Sequence, residues 1–183
     1  MRTRALIKSD YRKIRNYGEG LFPILLHQGF WAIFQYRIAN RIYYSKLLKF
    51  IRRFLFIFTM LWQKIIEWTT GITIAASARI GHSFYIAHQG YIYIAPRCTI
   101  GNNCNISQGV TLGVSGTGIK RGVPQLGDNI YIGANAVCAG AVTVGSNSLI
   151  AACSLVISHV PEGAVMMGVP ASVDSYKGSE GYI

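Results

Sequence analysis

The stretch from Ile74 to Gly113 reads IAASARIGHSFYIAHQGYIYIAPRCTIGNNCNISQGVTLG, and its regularity points to the fold class. An aliphatic residue followed by a small one recurs about every six positions, within this stretch and again after a break. Twelve of the thirteen first positions are Ile, Leu or Val, and twelve of the second positions are Gly, Ala or Ser. The pairs are Ile74-Ala75, Ile80-Gly81, Ile86-Ala87, Ile94-Ala95, Ile100-Gly101, Ile106-Ser107, Leu112-Gly113, Leu126-Gly127, Ile132-Gly133, Cys138-Ala139, Val144-Gly145, Ile150-Ala151 and Val156-Ile157.

A six-residue period fits neither an α-helix nor a long alternating strand. It is typical of short strands joined by turns, with three hexads closing one triangular coil. The aliphatic residue then fills the coil interior, and stacked coils bury a continuous core that no single repeat could bury alone. Cys98, Cys104 and Cys138 are predicted to be small core residues of these coils.

The repeat is interrupted twice, and excursions from a rigid solenoid are common places for binding groups. Ile86 and Ile94 are eight residues apart, so two extra residues bulge out around His88. Leu112 and Leu126 are fourteen apart, which predicts an excursion loop over residues 113–125 with the sequence GVSGTGIKRGVPQ.

Composition divides the chain into two regions. The whole chain of 183 residues carries a net charge of +11. Residues 1–68 hold 13 basic and 3 acidic residues, a net charge of +10, together with 15 of the aromatic residues. Residues 69–183 hold 5 basic and 4 acidic residues and 17 of the 20 glycines. A uniformly basic nucleic-acid-binding protein would not show this asymmetry, and no nucleic-acid-binding motif accompanies the charge.

Several classes of protein and site are disfavoured by simple patterns. The charged start of the chain does not resemble a secretory signal, and the apolar run from Phe54 to Gln63 is too short for a membrane-spanning helix. Four cysteines are too few for a disulfide scaffold and lack metal-site spacing, so no metal is expected. A cytoplasmic location, with a possible peripheral position on the inner face of the membrane, is therefore the expectation.

The sequence resembles the hexapeptide-repeat acyltransferases, specifically the serine acetyltransferase family with its polysaccharide O-acetyltransferase relatives. The resemblance covers about residues 29–171 and rests on motifs that are specific in combination. They are Gly29-Phe30-Trp31-Ala32, Tyr36-Arg37-Ile38-Ala39, Ile86-Ala87-His88-Gln89-Gly90, Ile106-Ser107-Gln108-Gly109-Val110-Thr111-Leu112-Gly113, Gly127-Asp128-Asn129 and Gly168-Val169-Pro170-Ala171.

This resemblance implies a mainly β fold, a left-handed parallel β-helix with a short α-helical N-terminal region. We therefore expect a basic helical region over residues 1–70, a β-helix acyltransferase domain over 71–171 and a C-terminal tail over 172–183. The family further implies a homotrimer, with acetyl-CoA bound in clefts between neighbouring subunits.

Acetyl transfer to a hydroxyl requires a general base, and histidine is the usual one. His88 matches the family's catalytic histidine; the alternative is a surface histidine without a role. His82 is expected to be solvated, His159 to lie in a turn near the end of the solenoid, and His27 to serve packing.

The resemblance also indicates where acetyl-CoA would bind. The pantetheine arm would run past Ala134 and Ala152, and backbone N–H groups near Gly113 are candidate donors to the oxyanion. Lys120 and Arg121 are candidates for the CoA phosphates, the alternative being a solvated loop.

Three family features are absent, and they bear on the acceptor. Ala87 and Thr73 replace acidic residues, and a histidine expected in the loop is missing from residues 120–124. The preferred acceptor is therefore a sugar hydroxyl of a surface polysaccharide or its precursor, with L-serine as the alternative. A scaffold that has lost catalysis is a second alternative.

The N-terminal region is predicted to be helical. Five charged residues fall on one side of a helix over residues 46–68, and large apolar residues spread around the rest. They are Lys46, Lys49, Arg53, Lys64 and Glu67. One interpretation is that these helices cap the first coil. The other is that the helix lies on an anionic membrane surface.

Overall fold

The computed structural model describes residues 2–18, 26–118 and 121–183. Within these described ranges, three helices precede the strands: α1 (Thr3–Asn16), α2 (Gln28–Tyr43) and α3 (Lys49–Thr70). The α2 helix begins after His27, whose Nδ1 accepts a hydrogen bond from the Phe30 N–H at 2.9 Å. The α3 helix ends at Gly71, which takes the left-handed conformation (φ +69°) that glycine adopts readily, and the chain enters the first strand.

The remaining chain forms three parallel sheets that make the sides of a triangular solenoid. Sheet A contains β1 (Ile72–Ile74), β4 (Ile92–Ile94), β7 (Thr111–Gly113), β10 (Val137–Ala139) and β13 (Leu155–Val156). Sheet B contains β2 (Arg79–Ile80), β5 (Thr99–Ile100), β8 (Gln125–Leu126) and β11 (Thr143–Val144). Sheet C contains β3 (Tyr85–Ile86), β6 (Asn105–Ile106), β9 (Tyr131–Ile132), β12 (Leu149–Ile150), β14 (Val165–Gly168) and, antiparallel at its edge, β15 (Ala171–Ser175).

The hexad pattern is confirmed as the source of the core. All thirteen first positions are buried, and parallel pairing stacks them coil on coil, as Ile86 with Ile106 and Ile106 with Ile132. The turns run along three edges of the solenoid, which we call the AB, BC and CA edges after the sheets that they join.

Asparagines form a ladder along the BC edge. Asn103 donates from Nδ2 to Asn129 Oδ1 and Asn129 donates from Nδ2 to Asn147 Oδ1, both at 2.9 Å. All three have positive φ values of 55–60°, a conformation that asparagine tolerates better than most residues. The asparagine side chain at each corner therefore forms a hydrogen bond with the asparagine of the next coil. This ladder was not predicted from the sequence.

A buried ion pair fastens the helices to the first coil. Arg37 of α2 contacts both carboxylate oxygens of Asp10 of α1, at 2.9 and 3.1 Å, and donates to the carbonyls of Ile80 and Gly81 at 2.6 Å. The Asp10 carboxylate also accepts from the Phe84 N–H at 2.9 Å. The interpretation that the N-terminal helices cap the first coil is therefore correct for the surface of α1 and α2 that carries Asp10 and Arg37. In the described residues, no helix combines the length and apolar character needed to cross a membrane.

Candidate active site

His88 lies in the predicted bulge on the CA edge. The two extra residues are accommodated by positive φ values at Gly90 (112°) and Tyr91 (50°). Hydrogen bonds of the Gly90 N–H to the Thr70 carbonyl (2.9 Å) and of the Gly109 N–H to the Gly90 carbonyl (2.8 Å) fix the bulge between α3 and the next coil. The His88 side chain is exposed, and within the described ranges no hydrogen bond ties its ring to another residue. The ring is thus presented to a ligand.

Two cavities meet at His88. The first, about 780 Å³, is lined by Gln28 and Gly29 at the start of α2 and by Ala87, His88 and Gln108 on the CA edge. Among its described lining residues there is no Asp, Glu, Lys or Arg. Its polar groups are imidazoles and carboxamides, which can hydrogen-bond a neutral hydroxyl compound. We call it the acceptor cavity.

The second cavity, about 750 Å³, is a groove that runs from His88 down the CA edge. Its lining includes Ala134 and Ala152, which the resemblance assigned to the pantetheine arm, together with Lys177. We call it the CA groove.

The row of residues on the floor of this groove follows from the strand register. The Asn135 N–H donates to the Gln108 carbonyl at 2.9 Å and the Cys153 N–H donates to the Ala134 carbonyl at 2.8 Å. Gln108, Ala134 and Ala152 therefore take the same place in successive coils, about 4.8 Å apart. Because the lower two side chains are single methyl groups, a narrow chain can lie against the backbone there.

Several residues of this site were not predicted from the sequence. Gln108 occupies the Ala134 position one coil earlier, so the six-residue register could have identified it. Tyr131 and Ser107 also line the groove, with their hydroxyl oxygens 3.3 Å apart. The residue Lys177 follows β15, whose course lies outside the repeat, and no periodic signal points to it.

Gly113 and Arg121 lie on a different edge from His88. Gly113 ends β7 of sheet A, and the excursion loop leaves from there along the AB edge. Ser115 and Gly122 pair at the base of this loop through two hydrogen bonds of 3.2 and 3.0 Å. Lys120 lies outside the described residues.

Arg121 lines a separate cavity of about 550 Å³ with Arg97 and Thr143. The exposed His159 lies next to this cavity, and its Nδ1 accepts a hydrogen bond from the Thr143 N–H at 3.0 Å. This agrees with the predicted turn position. Within one subunit, Arg121 therefore does not converge with His88, Ala134 and Ala152.

The two remaining histidines differ in surroundings. His82 is half-buried with Nδ1 3.1 Å from the Ser83 hydroxyl, so it is less solvated than expected. His27 is buried at the helix start, in agreement with a packing role, although it also borders the acceptor cavity.

The three interior cysteines are core residues, as predicted. Cys98, Cys104 and Cys138 are fully buried, whereas Cys153 is exposed. Burial raises the pKa of the first two thiols to about 11 and that of Cys138 to about 12. In the part of the chain that the structure describes, no three His, Cys, Asp or Glu residues are grouped to hold a metal ion.

A triangular parallel solenoid built on hexads, with an exposed histidine between two edge cavities, places this chain among the hexapeptide-repeat β-solenoid proteins. The serine acetyltransferases of Bacillus licheniformis and Staphylococcus aureus are 38% and 36% identical over 152 residues, which cover 82% of this chain and 66% and 67% of theirs. The chain belongs to the serine acetyltransferase family. It spans about two thirds of the length of these relatives. No family model matches the chain.

Solved structures agree. The serine acetyltransferase of Neisseria gonorrhoeae in complex with serine has a TM-score of 0.81 and 32% identity, over 94% of this chain and 69% of that one. A serine acetyltransferase in complex with CoA has a TM-score of 0.78 and 29% identity, over 93% and 69%. The left-handed parallel β-helix predicted from the sequence is thereby confirmed.

Proposed function

We propose that this chain transfers an acetyl group from acetyl-CoA to a hydroxyl, with His88 as the general base. The observation that carries the proposal is the position of His88, exposed in a fixed bulge where the acceptor cavity and the CA groove meet. Family membership supplies the reaction class, because the relatives are serine acetyltransferases and one of them was solved with CoA.

The chemistry needs only one proton carrier. His88 takes the proton of the acceptor hydroxyl as its oxygen bonds to the acetyl carbonyl carbon, and the carbon–sulfur bond of the thioester breaks. His88 then donates this proton to the departing sulfur, so that CoA leaves as a thiol. Backbone N–H groups near Gly113 would stabilise the oxyanion only from a second copy of the chain, because Gly113 lies on a different edge from His88. No acyl-enzyme is required.

The CA groove suits the pantetheine arm of CoA, since Ala134 and Ala152 leave its floor narrow and open. Arg121 would bind CoA phosphates, but it lies on the AB edge. A complete site therefore requires a second copy whose AB edge meets the CA edge of the first. This supports a homotrimer with sites between subunits.

L-serine is the acceptor that the relatives favour, and we propose it over the sugar expected from the sequence. A sugar hydroxyl remains the second candidate because of one observation. The described lining of the acceptor cavity offers no charged side chain for the ammonium or carboxylate of an amino acid, and Ala87 stands beside His88 where the family has an acid.

A thiol-release assay with acetyl-CoA separates these candidates by comparing L-serine, nucleotide sugars and lipid-linked saccharides. His88→Ala should lower the rate about 10²–10⁴-fold, while the matched control His82→Ala should leave it nearly unchanged. Near-normal turnover by His88→Ala would refute the role of the base. No thiol release with any acceptor and no acetyl-CoA binding would leave a non-catalytic scaffold.

Subunit complementation tests the shared site. His88→Ala and Arg121→Glu subunits, each weakly active alone, should regain activity when they are unfolded together and refolded into mixed trimers. A site contained in one subunit would show no recovery beyond the sum of the two variants.

A peripheral membrane contact through residues 46–68 is a separate proposal, since it concerns a surface outside this site.

A further inference from the structure

One side of α3 is apolar and exposed. Its seven large side chains are each more than half exposed in the chain by itself, and we call them the outer face of α3: Phe50, Phe54, Ile57, Phe58, Leu61, Ile65 and Trp68. At about 100° per residue they lie opposite the buried residues Thr59, Ile66 and Thr70. Soluble proteins rarely leave so large a continuous apolar patch in water, and such patches mark contact surfaces.

An apolar groove continues the outer face toward α1. Its volume is about 760 Å³, and its floor includes Tyr11 of α1, Phe34 of α2 and Trp62 of α3. The rings of Phe34 and Trp62 pack edge to face, with centroids 6.0 Å apart. Arg4 and Lys8 line the groove on the α1 side.

Cations border the outer face on its other side as well. Lys49 and Arg53 are exposed on α3 next to the apolar residues. Lys64 is also there, but it pairs with Glu67 at 2.6 Å. In residues 2–18 and 26–70 the only other acid is Asp10, which is buried against Arg37. The described part of this surface therefore has no unpaired carboxylate to offset its cations.

We propose that the outer face of α3 binds the surface of an anionic lipid bilayer, with the helix lying in the plane of the membrane. The Phe, Leu, Ile and Trp side chains enter the boundary between head groups and acyl chains, and Arg4, Lys8, Lys49 and Arg53 contact lipid phosphates. A second copy that presents the same face is a poorer occupant, because the two faces would bring like charges together. The proposal does not depend on the acetyl transfer proposed above.

Co-sedimentation of the full chain with vesicles tests this. The chain should sediment with vesicles of phosphatidylcholine and phosphatidylglycerol in equal parts, and much less with phosphatidylcholine alone. Arg53→Glu and the double variant Phe54→Ala/Leu61→Ala should each lower the partition coefficient at least tenfold. Arg79→Glu makes the same charge change on sheet B, and Ile157→Ala removes an exposed apolar side chain on the AB edge. Both controls should bind like the unaltered chain.

Three outcomes would overturn the proposal. The unaltered chain could fail to sediment with the vesicles that contain phosphatidylglycerol. Arg79→Glu could weaken binding as much as Arg53→Glu, in which case only net charge acts. The Phe54→Ala/Leu61→Ala variant could sediment as a smaller assembly in the absence of lipid, which would make the outer face a contact between copies. Unfolding curves for every variant ensure that a loss of binding is not a loss of fold.

Discussion

In the solenoid, all thirteen first positions of the hexads are buried, whereas on α3 eight large apolar side chains are more than half exposed. Both regions are rich in apolar residues, so composition alone does not separate them. The difference lies in what each residue can pack against: a solenoid coil has another coil above it, while a helix at the end of a stack has one occupied side. In the solenoid the apolar side chains are buried and stabilise the fold. On α3 part of the apolar surface is exposed and is available for contact with a partner.

Arg37 joins the two regions, and its removal should have the largest effect. Arg37→Met leaves a buried Asp10 carboxylate without its cation and two carbonyls without their donors. We expect a loss of about 3–5 kcal/mol in the free energy of unfolding, measured by urea denaturation. Burial already raises the pKa of Asp10 against the opposing effect of Arg37.

Without Arg37 the pKa of Asp10 should rise further, because the opposing charge is gone. An acid whose pKa is higher in the folded than in the unfolded state stabilises the fold at low pH. This stabilisation is lost as the pH rises through the folded-state pKa. The loss caused by Arg37→Met should therefore be smaller at acidic pH than at pH 7. Asp10→Asn/Arg37→Met is the control, since it has no buried carboxylate. An equal loss at both pH values would contradict this account.

Within the solenoid, Ile106→Ala is the corresponding test of core packing. Ile106 is 1% exposed and stacks between Ile86 and Ile132, so its truncation should cost about 2–5 kcal/mol. Thermal or urea unfolding measures this directly. A cost below about 1 kcal/mol would mean that neighbouring coils collapse into the cavity.

The sequence predicted the solenoid well because each hexad repeats the same physical requirement. Twelve of the thirteen first positions are aliphatic and twelve of the second positions are small, so a single departure does not hide the pattern. His88 could be located for the same reason, as the bulge is visible against a strict period. Arg121 and Lys177 could not be placed, because a loop and a terminal strand follow no period. The direction in which α3 presents its apolar side chains also depends on packing, which helical spacing alone does not determine.

Lys13 of α1 tests the contact between the regions by pH. Its Nζ donates to Asn103 Oδ1 at 2.7 Å, at the top of the asparagine ladder. Burial lowers the pKa of Lys13 from 10.5 to about 8, with Cys104 and Asp10 opposing the shift. Because the unfolded chain then binds more protons between these values, stability should rise as the pH increases from about 8 toward 10.5.

The variant Lys13→Met should lose this rise, which urea denaturation at several pH values can measure. In the unfolded chain, cysteine and tyrosine side chains also lose protons in this range, so the comparison with the variant is what isolates Lys13. Parallel curves for the two proteins would exclude Lys13 as the source.

The smallest effect is expected for Ile57→Ala, the same chemical change as Ile106→Ala made on the outer face of α3. Ile57 is 51% exposed, so only about half of the surface that its truncation removes is in contact with the protein. Alanine is also the better helix former, by up to about 0.7 kcal/mol. The loss of the buried half and the gain in helix propensity oppose each other, so the free energy of unfolding should change by no more than about 0.5 kcal/mol. A loss of 2 kcal/mol or more, roughly as for a core residue, would show that another copy covers this face in solution. Adding anionic vesicles gives a second measurement. The variant should match the unaltered chain in the free energy of unfolding but bind lipid less tightly. The expected reason is that Ile57 lies on the lipid-binding face and outside the core.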